Sequence, residues 1–203
     1  MKKLFLILLV FAVASLESAY AVKKVTKTAV VNYKLDQEKS EVKWTGKKVT
    51  GQHTGTIQLK SGMIVFKGSA VQSGNFVVDM KTIVDADIQD KDSNSKLIGH
   101  LNSEDFFGTE KYPTATYTFN KAEKLNGNQY VFKGKLTIKG TTKDYDVKAT
   151  VSQDKTSYTA VGQMNIDRTA YNIRYGSGKF FDKLGDKVIN DTFTLEFKVT
   201  VKK

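Results

Sequence analysis

The run Tyr130–Ser152, YVFKGKLTIKGTTKDYDVKATVS, decides the fold class. Its first half keeps Tyr130, Phe132, Leu136 and Ile138 on one parity, against Lys133, Lys135 and Thr137 on the other. Its second half repeats the pattern with Tyr145, Val147, Ala149 and Val151. A period of two sends alternate side chains to opposite faces of a strand, so both halves read as strands with one apolar and one polar face. Gly140-Thr141 between them carries hairpin turn chemistry, which makes the two strands antiparallel neighbours.

Working outward, the same alternation recurs along the chain. Ser40–Thr45 sets Val42 and Trp44 on one face, Thr54–Leu59 sets Ile57 and Leu59, and Gly74–Thr82 sets Phe76, Val78 and Met80. Thr114–Asn120 carries Ala115, Tyr117 and Phe119, Tyr158–Ile166 carries Met164 and Ile166, and the last run carries Phe193, Leu195, Phe197, Val199 and Val201. Ser61-Gly62, Gly68-Ser69, Asn126-Gly127-Asn128 and Gly185-Asp186 read as the turns. A sheet with one wet and one dry face closes into a barrel or pairs as a sandwich. A barrel leaves no sheet edge, and about eight antiparallel strands suit one domain of this length. The interior of such a barrel is just wide enough to be filled by side chains or to hold one slender ligand, and the pattern alone leaves both open.

One stretch departs from the strand period. Lys96–Pro113, KLIGHLNSEDFFGTEKYP, places Leu97, Ile98 and Leu101 on one helical face and ends on Phe106-Phe107 before the chain's one proline. It predicts a short capping helix over about residues 95–105, with Asp92-Ser93-Asn94-Ser95 as candidate N-caps. So short a helix is marginal in water and has to lay its apolar face on the barrel.

The N-terminus predicts export. Lys2 and Lys3 precede the apolar run Leu4–Ala14, and Ala19-Tyr20-Ala21 fits a signal-peptidase site. The apolar run falls short of the roughly 20 residues a membrane span needs. The expected organisation is a signal peptide at 1–21, a flexible leader at 22–31 and a barrel at 32–203, in a periplasmic or secreted protein. The absence of cysteine rules out disulfides, thiolate chemistry and lipoprotein anchoring. The formal charge of +11 is spread along strands and turns, so it reads as a solvated outer face and not as a nucleic-acid patch. A diffuse positive field favours transient contact with an anionic membrane surface. The oligomeric state is left open.

Chemistry-bearing motifs are sparse. Any histidine mechanism must use His53 or His100; Ser103 and Asp105 lie near His100, but no GxSxG elbow accompanies them. No metal-ligand spacing occurs, and the acidic run at Asp85, Asp87, Asp90 and Asp92 lacks the glycine and terminal glutamate of a calcium loop. No metal, cofactor or catalytic residue is expected. The notable constellation is apolar: Trp44, Phe76, Val78, Met80, Tyr117, Phe119, Phe132, Leu136, Met164, Phe193, Leu195 and Phe197, joined by Phe106 and Phe107 from the helix. An ordinary core, an exported enzyme acting through His100 or His53, and a ligand tunnel all remain compatible with it.

Two segments are more specific. His100–Phe107 followed by Tyr112-Pro113, and Gly134–Lys143, together with Gly51–Gly55, Asp167-Arg168-Thr169 and Gly185–Val188, resemble the YceI-like, polyisoprenoid-binding family of bacterial exported proteins. The resemblance spans Tyr33 to the C-terminus. It implies a lipocalin-like antiparallel barrel with an apolar tunnel that holds an isoprenoid lipid, a polyprenyl phosphate or an isoprenoid quinone, without catalysis. The chain departs from the family pattern at Asp144, where proline is common, and at Tyr171-Asn172, where Phe-Gly is common; asparagine tolerates a left-handed backbone, so the turn is expected to survive. If a polar head group sits at the tunnel mouth, Arg168 is the first candidate to meet it, with Arg174 and His53 beside it.

Overall fold

A computed structural model describes residues 29–68 and 70–203. The predicted signal peptide, the leader up to residue 28 and Ser69 lie outside the described residues. Among the described residues nine strands follow in order: β1 (Val30–Leu35), β2 (Glu41–Lys48), β3 (Gly51–Lys67), β4 (Ala70–Asp85), β5 (Thr114–Lys124), β6 (Gln129–Ile138), β7 (Thr141–Gln153), β8 (Ser157–Asp167) and β9 (Thr192–Lys202), with one α-helix, α1 (Lys91–Asn102), between β4 and β5.

Every pairing is antiparallel, in the order β3-β2-β9-β8-β7-β6-β5-β4, and β4 pairs back onto β3 to close an eight-stranded barrel. The extra strand β1 runs along the second half of β3 and touches the end of β9. Val30 and Val31, expected in a flexible leader, are therefore strand, paired with Lys67 and Phe66. Their period-two neighbours Tyr33 and Leu35 carry the alternation back to Val31.

The predicted turn at Ser61-Gly62 is absent, because both residues run inside β3, opposite Val77 and Phe76. Register shifts near Thr56/Gln58, Leu59/Ser61 and Val65/Phe66 bend the long β3–β4 ribbon instead of breaking it, as bulges do. The hairpin read from Tyr130–Ser152 is present with the turn one residue earlier: Ile138 pairs with Thr141, and Lys139 (φ 48°) and Gly140 (φ 72°) both take the positive φ of a type I′ turn. Its polar face is wet as expected. Lys133 and Lys135 meet Asp146 and Asp144 across the strands at 2.6 Å each, so Asp144, a departure from the pattern of the family the chain resembles, stands in an exposed cross-strand pair.

α1 begins and ends earlier than predicted. Asp90 caps it, accepting from the Ser93 amide at 2.9 Å, so the proposed caps from Asp92 to Ser95 lie inside the helix. Asn94, one of them, uses its amide on the Ile88 carbonyl and on Asp85. Leu101 is buried and Leu97 and Ile98 are half-buried against the core, as the helical period required.

Candidate ligand cavity

Inside the barrel is a cavity of about 530 Å³. Lys47, Phe106, Arg168 and Asn190 border it at the helix end, and Val71, Lys124 and Gln153 border it at the end carrying the β3–β4, β5–β6 and β7–β8 turns. Every residue of the apolar constellation lines it, from Trp44 and Phe76 through to Leu195 and Phe197, with Phe106 and Phe107 of the post-helix turn, whereas Tyr145 and Ile166 of the same alternation do not. Ile64, Phe66, Val71 and Ile83 also line it. They lie on the parity opposite to Ile57, Leu59, Phe76 and Met80, because the bulges of the β3–β4 ribbon shift the alternation, so a simple period of two does not name them.

Five inward glycines explain why so many rings leave a void. A Cβ on Gly62 would lie 2.3 Å from the Phe76 ring, one on Gly74 2.3 Å from Phe119, one on Gly162 2.6 Å from Phe197, one on Gly55 2.8 Å from Trp44, and one on Gly134 2.7 Å from the Tyr117 hydroxyl. In the first four cases the ring belongs to the residue directly opposite in the ladder. Missing side chains let the aromatics lie flat against the wall, and the space they would otherwise fill stays open. Tyr117 is fixed in this pose by donating to the Phe132 carbonyl at 2.7 Å. Burial pushes its hydroxyl well above the usual tyrosine range, so it remains a donor.

The cap is held by ring contacts. The Phe107 amide donates to the Leu101 carbonyl, folding the chain back so that both phenylalanines turn onto the barrel. Phe107 meets Phe193 at 6.2 Å, and Phe106 meets His100 at 5.0 Å. The His100 Nε2 is buried without a partner, and its ring holds the helix by contacts instead, wedged between Phe106 and Tyr175, 4.4 Å from the latter.

The three candidates for a head group are not brought together. Arg168 reaches the cavity wall but is 2% exposed, and its guanidinium donates to the carbonyls of Asn190 (3.0 Å), Ile173 (2.9 Å) and Ile189 (2.9 Å) while stacking 5.6 Å from the Phe106 ring. Burial lowers its pKa, against the opposing pull of Asp191 at 3.8 Å. These bonds tie down the segment 168–191 between β8 and β9. Arg174 is exposed and stacks 4.7 Å over Phe180, away from the cavity lining.

His53 also lies outside the lining, on the outer wall with Asp87 at 3.0 Å. Burial alone would raise the Asp87 carboxyl, but the Thr54 amide and His53 outweigh it and hold it below the usual range. His53, Asp85 and Asp87 place possible ligand atoms within 4.8 Å of one another, a juxtaposition across β3 and β4 that linear spacing did not reveal. Asp85 accepts from the Asp87 and Ile88 amides and from Asn94, so the acidic run braces the approach to α1.

Asn172 takes the left-handed conformation (φ 61°, ψ 28°) at the end of a 3₁₀ turn over Arg168–Tyr171, and its amide reaches the Thr141 hydroxyl at 3.2 Å. The turn that glycine usually serves is preserved, on a barrel closed and capped as described. The YceI-like domain family matches residues 33–201. The chain belongs to that family.

Among relatives, a UPF0312 protein of Photorhabdus laumondii is 37% identical over 93 residues, covering 45% of this chain and 48% of that protein. Protein YceI of Escherichia coli O157:H7 is 33% identical over 97 residues, 47% of each chain. The matched stretches thus span about half the length of these relatives. Among solved structures, Burkholderia cenocepacia BcnA superposes with a TM-score of 0.67 at 25% identity, over 82% of this chain and 98% of that one. A polyisoprenoid binding domain from Saccharophagus degradans gives 0.61 at 16% identity, over 84% and 97%, a likeness of fold.

Proposed function

We propose that this YceI-like barrel is an exported, non-enzymatic carrier that holds an isoprenoid lipid in its cavity, a polyprenyl phosphate or an isoprenoid quinone. The observation that carries the reading is the cavity: about 530 Å³, bordered by both ends of the barrel and walled by aliphatic and flat-lying aromatic side chains. That volume lies within the roughly 300–1,000 Å³ of small-molecule sites. An apolar chain suits it, since each buried CH₂ contributes about 0.8 kcal/mol. The polyisoprenoid binding domain of Saccharophagus degradans, alike in fold, supports the same ligand class.

Two features favour binding over catalysis. Neither histidine lines the cavity, and the cavity's most deeply buried charged group, Arg168, is bonded to backbone carbonyls. With Arg168 so engaged, the polar end of a ligand meets Lys47 and Asn190 at one mouth or Lys124 and Gln153 at the other.

The test is mass spectrometry of organic extracts from gently purified protein, followed by uptake of added polyprenyl phosphate and quinone. A co-purifying or stoichiometrically bound isoprenoid is expected. Repeated absence of both sinks the proposal.

A further inference from the structure

Most large apolar residues are accounted for by the cavity, but one group faces solvent. Tyr175, Phe180 and Phe181 are 47%, 45% and 50% exposed, all within the segment 168–191 at the helix end. Val49, 63% exposed on the β2–β3 turn, adjoins the same segment through its amide, which donates to the Val188 carbonyl at 3.2 Å. Other exposed apolar residues, such as Leu125 and Val161, occur singly, which is ordinary on a folded surface. A clustered aromatic rim is not.

Cations surround this rim. Arg174, Lys183 and Lys187 lie on the same segment, and Lys47 and Lys48 lie on the adjoining end of β2. None of these five takes part in an ion pair among the described residues. Asp182 and Asp186 are the acidic residues of the stretch 174–188, and Lys179, its other cation, is held by Asp167 and Asp191 at 3.1 Å each. Positive charge therefore exceeds negative along these two stretches.

We propose that this rim docks on the anionic headgroup surface of a lipid bilayer. Aromatic side chains favour the boundary between headgroups and acyl chains, and basic residues near it are drawn to anionic lipids. Shallow insertion of Phe180 and Phe181 adds apolar burial to that attraction, the arrangement by which interfacial segments bind without spanning. Lys47, Ile189 and Asn190 belong to both the rim's surroundings and the cavity lining, so docking would bring a cavity mouth to the membrane. In purpose, though not in its observations, the inference rests on the lipid-carrier reading.

The chain has no cysteine, so single labels are unambiguous. Phe181→Cys and, at the far end, Leu125→Cys carry a polarity-sensitive nitrobenzoxadiazole label on the full chain. Vesicles of phosphatidylcholine with phosphatidylglycerol are expected to blue-shift the label at 181 and leave the label at 125 unmoved. Phosphatidylcholine alone, or high salt, should weaken the shift. Binding through the apolar N-terminal run would not by itself bury the label at 181.

Reversing Arg174, Lys183 and Lys187 to glutamate should lower vesicle affinity by at least about tenfold. No shift at 181, an equal shift at 125, or indifference to phosphatidylglycerol and to the charge reversals would overturn the proposal. Isoprenoid uptake from detergent separates the two ideas: uptake without docking leaves the carrier reading standing alone, and docking without uptake does the reverse.

Discussion

The barrel wall and the segment 168–191 enclose the same cavity in opposite ways. In the wall, the antiparallel ladder satisfies the backbone and side chains are free to be apolar. The segment 168–191 has no ladder beyond an isolated bridge between Lys48 and Ile189, and one buried side chain, Arg168, takes three of its carbonyls. Removing a polar group should therefore matter far more in the segment than in the wall.

The largest expected effect follows directly. Arg168→Met keeps much of the apolar stem but strips the donors from Ile173, Ile189 and Asn190 and leaves Asp191 without its buried counter-charge. Loss of one partner of a buried, hydrogen-bonded charge costs about 3–5 kcal/mol. Urea denaturation should show a loss of that order. A loss under about 1 kcal/mol would mean that the carbonyls find water instead.

In the wall the weak point is space, not polarity. Gly74→Ala brings a methyl against the Phe119 ring with no backbone atom among its nearest contacts. The ring must leave the wall and enter the cavity, at about 1–3 kcal/mol for overpacking. Isoprenoid uptake, measured by fluorescence or mass spectrometry, should fall more than stability does. Undiminished uptake would show that the flat ring is not what keeps the cavity open.

The matched polar deletion in the wall is smaller. Tyr117→Phe removes the hydroxyl bonded to the Phe132 carbonyl but leaves the ring over Gly134. About 0.5–1.5 kcal/mol should be lost in denaturant, with uptake retained. A loss equal to that of Arg168→Met would erase the contrast between wall and segment.

The same contrast explains what could be read from the residues alone. Strand parity placed Trp44, Phe119 and Phe197 on the inward face because period two maps directly onto the two faces of a sheet, but whether that face encloses a cavity or a filled core depends on packing that parity does not encode. Gly62 was misread as a turn because glycine carries two meanings, positive φ and close approach, and only the ladder shows Phe76 lying over it. Arg168 is one of two arginines in the chain, but its carbonyl partners lie in an irregular backbone that no period encodes. His53 and Asp87 meet just beyond the last β3–β4 pair, Gly55 with Asp85, a juxtaposition that linear spacing does not reveal.

The smallest effect probes the solvent-facing side of the segment's anchor. Burial alone would raise the Asp167 carboxyl, but the Thr169 hydroxyl and amide, together with Lys179, outweigh it and hold it below the usual range. A carboxylate with a depressed folded value adds stability above its unfolded pKa, about 3.9, and loses it as pH falls through the folded value. Asp167 and Lys179 are 43% and 57% exposed, so solvent screening keeps the contribution under about 1 kcal/mol. Asp167→Asn should therefore lower Tm slightly at neutral pH and converge with the parent below about pH 4, with the gap narrowing in salt. A gap that persists in acid would assign the role of Asp167 to its turn geometry at Thr169, leaving the segment's electrostatic anchoring to Asp191, which both Arg168 and Lys179 reach.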